Sequence, residues 1–244
     1  MPYRRLPNTD SARLKSLKSA HEKGRDIPPF RLAFSPSSYR KIQFLLPLFE
    51  NAIQEHKNSL NIQSEKNKEY QKRIRKARLY ISHFIQVVNM AISRGDLVPE
   101  TRQYFGIEEE EKKVPTLNTE EEIISWGELL LEGEHKRLMK GLNPITNPTI
   151  AVVKVHYDKF LEYYNYQKSL KKRSQHAQDL LNEKRSQVDG IIQQVWNEVE
   201  DTFNDLPEEM RREKASEYGL VYVFRKNELN NFNAFQSSRV ERRG

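Results

Sequence analysis

This chain has no cysteine, and that absence removes disulfides, thiolate metal sites and cysteine nucleophiles together. Glycine is scarce, at nine in 244 residues. From Pro36 to Arg94 there is none. So long a span without glycine, rich in Glu, Lys, Gln, Arg and Leu, favours helix, because straight side chains lose little rotamer freedom there. No window approaches the roughly 18 apolar residues of a membrane-crossing helix. Met1 to Asn8 carries basic residues with no apolar run behind them and does not read as a signal peptide. A soluble, cytoplasmic protein without a membrane segment is the expectation. Also missing are a Gly-rich P-loop, a Gly-x-Ser-x-Gly elbow and a dinucleotide fingerprint. Without a catalytic motif, the chain reads as non-enzymatic, with no cofactor.

What is present is a script that runs twice. The first copy opens at Ser35-Pro36 and closes at Asp96-Leu97-Val98-Pro99-Glu100-Thr101-Arg102, with Tyr104-Phe105-Gly106 beyond. The second opens at Asn147-Pro148 and closes at Asp205-Leu206-Pro207-Glu208-Glu209-Met210-Arg211, with Tyr218-Gly219 beyond. A repeated supersecondary unit constrains architecture before propensities are counted.

Inside the first copy a 4-3 spacing holds through Tyr39, Ile42, Leu46, Phe49 and Ile53, continues through His56, Leu60, Gln63 and Asn67, and ends with Tyr70, Ile74, Ala77, Ile81, Phe84, Val88 and Ala91. That is a heptad seam with apolar ends and a mostly polar middle. The second copy has Val153, Tyr157, Phe160 and Tyr164 at one end, and Leu181, Val188, Ile192, Val195 and Val199 at the other. Gln167, Lys171, Ser174 and Gln178 lie between them. A polar seam centre is what a helical hairpin would show, so reversals are expected near Asn58 to Lys66 and near Lys171 to Gln175. The rival is one continuous helix of about 85 Å, at about 1.5 Å per residue. The hairpin is preferred because long helices depend on packing for their stability. Pro47 should kink the first helix.

The fold class expected is therefore all-α: two duplicated long helical hairpins packed as a four-helix-bundle-like core, braced by shorter helices, with at most a minor β element. If both copies use one seam, pseudo-twofold packing follows. A bracing helix should start at Thr9 or Asp10 and end at Gly24. Another should run from Thr119, with Glu122 at capping-box spacing, to about Lys140. Residues 1–107 make the first unit, 108–118 a charged linker, 119–225 the second unit and 226–244 a flexible basic tail. Tyr218 to Phe224 has strand-like residues and is expected to pair with Phe30 to Phe34.

Candidate sites follow from charge and aromatic placement. The chain has 41 Lys plus Arg against 34 Asp plus Glu, net +7, which would assist association with an acidic partner. The densest basic run holds Lys72, Arg73, Arg75 and Lys76, and Lys171, Lys172 and Arg173 occupy the comparable place in the second copy. At the hairpin tips these would form one basic end able to contact phosphate or an acidic partner. Tyr163 and Tyr166 fall off the seam, and Trp126 lies on a helix with more apolar cover than one stripe requires. All three are candidate interface residues. Glu132 and His135 make the one Glu-x-x-His pair, but a carboxylate-bridged metal site needs two such pairs, so no metal site is expected. The functional expectation is a helical interaction or scaffold protein with a protein partner. The alternative is a nucleic-acid-binding accessory protein.

Overall fold

The computed structural model describes residues 2–224, so the tail expected at 226–244 lies outside the described residues. In chain order the elements are β1 (Tyr3–Arg4), α1 (Asp10–Asp26), α2 (Pro36–Arg94), a 3-10 helix (Pro99–Phe105), α3 (Glu120–Met139), α4 (Ile150–Thr202), α5 (Glu208–Ser216) and β2 (Tyr222–Val223). The protein is all-α, as its composition implied. Its β element is one antiparallel pairing of Tyr3 with Val223 and Arg4 with Tyr222. The expected pairing with Phe30 to Phe34 is incorrect. That segment is irregular; the Ala33 carbonyl accepts from Thr202 Oγ1 at 3.0 Å, and buried Phe34 meets the Tyr218 ring edge-on.

The hairpins are also corrected, since α2 is one helix of 59 residues and α4 one of 53, with no reversal in either. Two long helices stand where four were expected. The two run antiparallel: in the 59–174 region Gln63 meets Ser174, Tyr70 stacks on Phe160, and Tyr80 stacks on His156. The polar centre of one seam therefore faces the polar centre of the other. Ser174 Oγ donates to Gln63 Oε1 at 2.8 Å, and Ser59 and Ser174 are buried. A polar seam that finds polar partners across the helix pair has no need of a turn, and the reversal segments contain no Gly or Pro to break the helix. Pro47 lies inside α2.

The chain divides into two compact units, one built from residues up to Asn58 together with those from Gln175, the other from Ser59–Ser174. Both divisions fall inside α2 and α4, not in the 108–118 linker. Each unit thus takes a part of both long helices.

In the unit of the chain ends, Leu17 and Ala20 of α1, Ile42 and Phe49 of α2, and Val188, Val195 and Trp196 of α4 form a buried core. Two bidentate ion pairs fasten α1 to α4: Arg13 to Asp189 at 2.7 and 2.9 Å, and Arg185 to Asp10 at 2.8 and 2.7 Å. Thr9 caps α1, accepting from the Ala12 N–H. The helix runs past Gly24 to Asp26, so Gly24 is not its end. It is glycine for space, since a Cβ there would sit 2.3 Å from the Tyr39 ring. At the start of α2 the Glu198 carboxylate accepts from the Ser35 N–H at 2.7 Å and from Ser38 Oγ at 2.9 Å. An anion there also complements the helix dipole.

In the Ser59–Ser174 unit, Ile74, Ala77, Ile81, Phe84 and Val88 of α2 pack with Val153, Tyr157 and Phe160 of α4, closed over by Ile123 and Leu130 of α3 and Phe105 of the 3-10 helix. The Thr119–Glu122 capping box opens α3 as expected. Gly133 lets α3 rest on the 3-10 helix, because a Cβ there would lie 2.2 Å from the Tyr104 carbonyl oxygen. The next residue, Glu134, forms an ion pair with Arg137 at 2.6 Å, their side chains 0% and 1% exposed. Glu134 Oε1 also accepts the Ile145 N–H at 2.7 Å, and Arg137 Nη2 donates to the Asn143 carbonyl at 3.2 Å. The pair therefore clips the 143–145 loop onto α3.

Candidate functional site

Beside the α2–α4 seam of the Ser59–Ser174 unit runs a strip in which cations alternate with aromatic rings. On α2, Arg73, Lys76 and Tyr80 share a flank by their 3- and 4-residue spacing, and on α4 the same spacing joins His156, Lys159, Tyr163 and Tyr166. The antiparallel pairing brings the two sets together. The Arg73 guanidinium lies 5.1 Å from the Tyr163 ring centre, a cation–π distance. Seven residues along each helix, Tyr80 stacks on His156 with ring centres 4.0 Å apart.

The strip is electropositive. Burial, and then the fields of Lys76, Lys159 and Arg73, hold the His156 imidazole below its ordinary pKa. Arg73, Lys76 and Lys159 have no acidic partner among the described residues. A shallow hollow of about 310 Å³ continues the strip, lined by Lys66, Glu162, Tyr163 and Tyr166. Glu162 is the acidic side chain facing it.

The other flank of the seam holds a polar cleft of about 340 Å³. There Tyr70 Oη donates to Glu120 Oε1 at 2.6 Å, and burial, followed by that hydrogen bond, pushes the Tyr70 hydroxyl pKa up. Gln63, Asn67, Gln167, Lys168 and Lys171 also line the cleft, and the Lys168 ammonium lies 5.8 Å from the Tyr164 ring centre. Gln167 Nε2 is buried and has no hydrogen-bond partner.

These two surfaces divide the residues expected from sequence. Arg73 and Lys76 are on the strip, Tyr163 is half-buried under Arg73, and Tyr166 is exposed beside it. Lys171 lines the cleft on the opposite flank. With α2 and α4 continuous there are no hairpin tips, so the expected single basic end is a misreading. Lys72 is exposed and paired with Glu69 at 2.7 Å, and Arg75 turns back onto the Gln71 carbonyl. Lys172 and Arg173 are exposed. Trp126 packs against the core of this unit. Glu132 pairs with Lys136 at 2.7 Å on an exposed helix face.

Sequence reasoning missed His156, Lys159 and Tyr80 as members of the strip, and Gln63, Asn67, Gln167 and Glu120 as members of the cleft. The 156–159–163–166 spacing was readable. Its meeting with 73–76–80 depends on the pairing register of two segments about 80 residues apart, and no local signal carries that.

Among the described residues no helix is long and apolar enough to cross a membrane, and no group of three or more His, Asp or Glu is placed to hold a metal. Compared with known proteins, the chain matches no family model, and neither a curated protein nor a solved structure matches it significantly.

Proposed function

We propose that this protein is a non-enzymatic helical interaction or scaffold protein, and that the strip carrying Arg73, Lys76 and Lys159 is its contact for an acidic partner. The observation behind this reading is the positive strip itself: three cations without acidic partners among the described residues, set between aromatic rings along a firmly packed helix pair. Rings beside cations suit an interface, because they add contact area at low entropic cost. The all-α helical frame and the lack of catalytic motifs support the non-enzymatic part. A cytoplasmic setting belongs to the same reading.

Fluorescence anisotropy with labelled poly-glutamate and with a single-stranded oligonucleotide tests it. The wild-type chain should bind a polyanion, and Arg73→Glu/Lys76→Glu/Lys159→Glu should weaken that binding at least about tenfold. No binding by the wild type at about 50 mM salt, or equal binding by the triple variant, refutes the reading.

The rings favour a second reading, single-stranded nucleic acid, because exposed Tyr166 offers a face on which a base can stack. In that case the oligonucleotide should outcompete poly-glutamate, and Tyr166→Ala should reduce its affinity by about 1–3 kcal/mol.

A further inference from the structure

The cleft opposite the strip combines features that a helix surface does not need. Seam positions normally go to apolar residues, yet here Gln63, Asn67 and Gln167 occupy them and line the hollow of about 340 Å³. A second hollow of about 460 Å³ shares the same three residues. A polar layer that served only to set helix register would satisfy its own groups across the seam. Ser174 and Gln63 do so, but Gln167 Nε2 is buried and unpaired. A buried donor without a partner costs free energy that a ligand acceptor can recover.

The charges around it are asymmetric. Lys168 and Lys171 lie one helical turn apart on α4 without acidic partners among the described residues, while Glu120 stands by Tyr70 and accepts its hydroxyl hydrogen bond on one oxygen only. An anionic group therefore belongs at the lysine and Gln167 end. The Glu120 end repels a second anion and favours a hydroxyl or ammonium donor. A volume of about 340 Å³ holds roughly eleven waters' worth of liquid, at about 30 Å³ each, which suits a small metabolite.

We propose that this cleft binds a small amino- or hydroxy-carboxylate, with its carboxylate held by Lys168, Lys171 and Gln167 and its donor by Glu120. The site uses none of the strip's cations, so it stands independently of the proposed acidic-partner contact.

The test is ligand-observed saturation-transfer NMR and calorimetry on the full chain with 3-hydroxybutyrate, 4-aminobutyrate and butyrate. 3-Hydroxybutyrate or 4-aminobutyrate should bind saturably with a Kd of about 1 mM or tighter, and at least about tenfold better than butyrate, which lacks the donor. Gln167→Leu and Lys168→Gln should each lower that affinity about tenfold, the loss expected for a hydrogen bond to a charged group. Glu120→Gln should narrow the preference over butyrate. Failure of both 3-hydroxybutyrate and 4-aminobutyrate to bind at about 10 mM overturns the proposal. So does binding that Lys168→Gln leaves unaltered, a test that survives even if Gln167→Leu folds poorly, because Lys168 is exposed.

Discussion

Removing the Glu134 carboxylate tests how the α3–α4 connection is held. In wild type the carboxylate takes one hydrogen bond from Arg137 at 2.6 Å and one from the Ile145 N–H at 2.7 Å, with both charged side chains fully enclosed. Glu134→Ala would leave a buried guanidinium with only the Asn143 carbonyl, its Nε already lacking a partner. Breaking a buried pair from one side costs about 3–5 kcal/mol, because the surviving charge is stranded away from water. The orphaned Ile145 N–H accounts for about 1–3 kcal/mol on the same scale. An overall loss of about 4 kcal/mol or more is expected. Glu132→Ala is the internal control. Its partner Lys136 is solvated, with side chains 62% and 58% exposed, and solvent screens an exposed pair so that its loss should leave the urea midpoint close to wild type.

Urea unfolding followed by far-UV circular dichroism measures both, from midpoint shifts at constant slope. The double variant Glu134→Leu/Arg137→Met sharpens the argument. Replacing both charges with apolar groups should recover most of the loss, since the expense lies in stranding one charge and not in lacking the pair. Hydrogen exchange at Ile145 should accelerate in Glu134→Ala. A Glu134→Ala cost below about 1 kcal/mol, or a double variant no better than the single, would refute the reasoning.

Three further outcomes follow from the structure. Burial pushes the Glu198 carboxylate up, but the Ser35 N–H, Gln194 and Ser38 outweigh it and hold its pKa below the ordinary value. The stability this supplies is present above the unfolded pKa of about 4.3 and is lost as pH falls through the lower folded value. Glu198→Gln should cost about 1–2 kcal/mol at pH 7, and urea midpoints should show its deficit shrinking toward pH 3. A deficit that stays constant with pH contradicts this. Gly133→Ala should destabilise by about 1–3 kcal/mol, because the Tyr104 carbonyl in its path is backbone and cannot rotate away. Gly190→Ala should do the reverse in thermal melts, stabilising by about 1 kcal/mol, since Gly190 is exposed within α4 with nothing near its would-be Cβ.

Helical class, the α3 capping box and the identity of the core residues were legible in the sequence, because each depends on neighbours within a turn or two. Ile42, Phe49, Ile74, Ile81, Phe84, Val153, Phe160, Val188 and Val199 all lie on the seams read from spacing, and all are buried. The same spacing misled at the seam centres. Gln63, Asn67, Gln167 and Ser174 looked like the polar crown of a turn, because one strand of sequence does not show which residues stand opposite.

What the residues determined alone was where helix forms and which face is apolar, since propensity, capping and periodicity act over a few bonds. What only tertiary structure decided was the register of α2 against α4. That register matches polar centre to polar centre and removes the turn, and it separates Arg73 and Lys76 from Lys171. It also brings His156 and Lys159 beside Arg73, and sets Glu120 across from Lys168. Its energy comes from contacts between segments some 80 residues apart, whose closure entropy is met only when both seams are buried together.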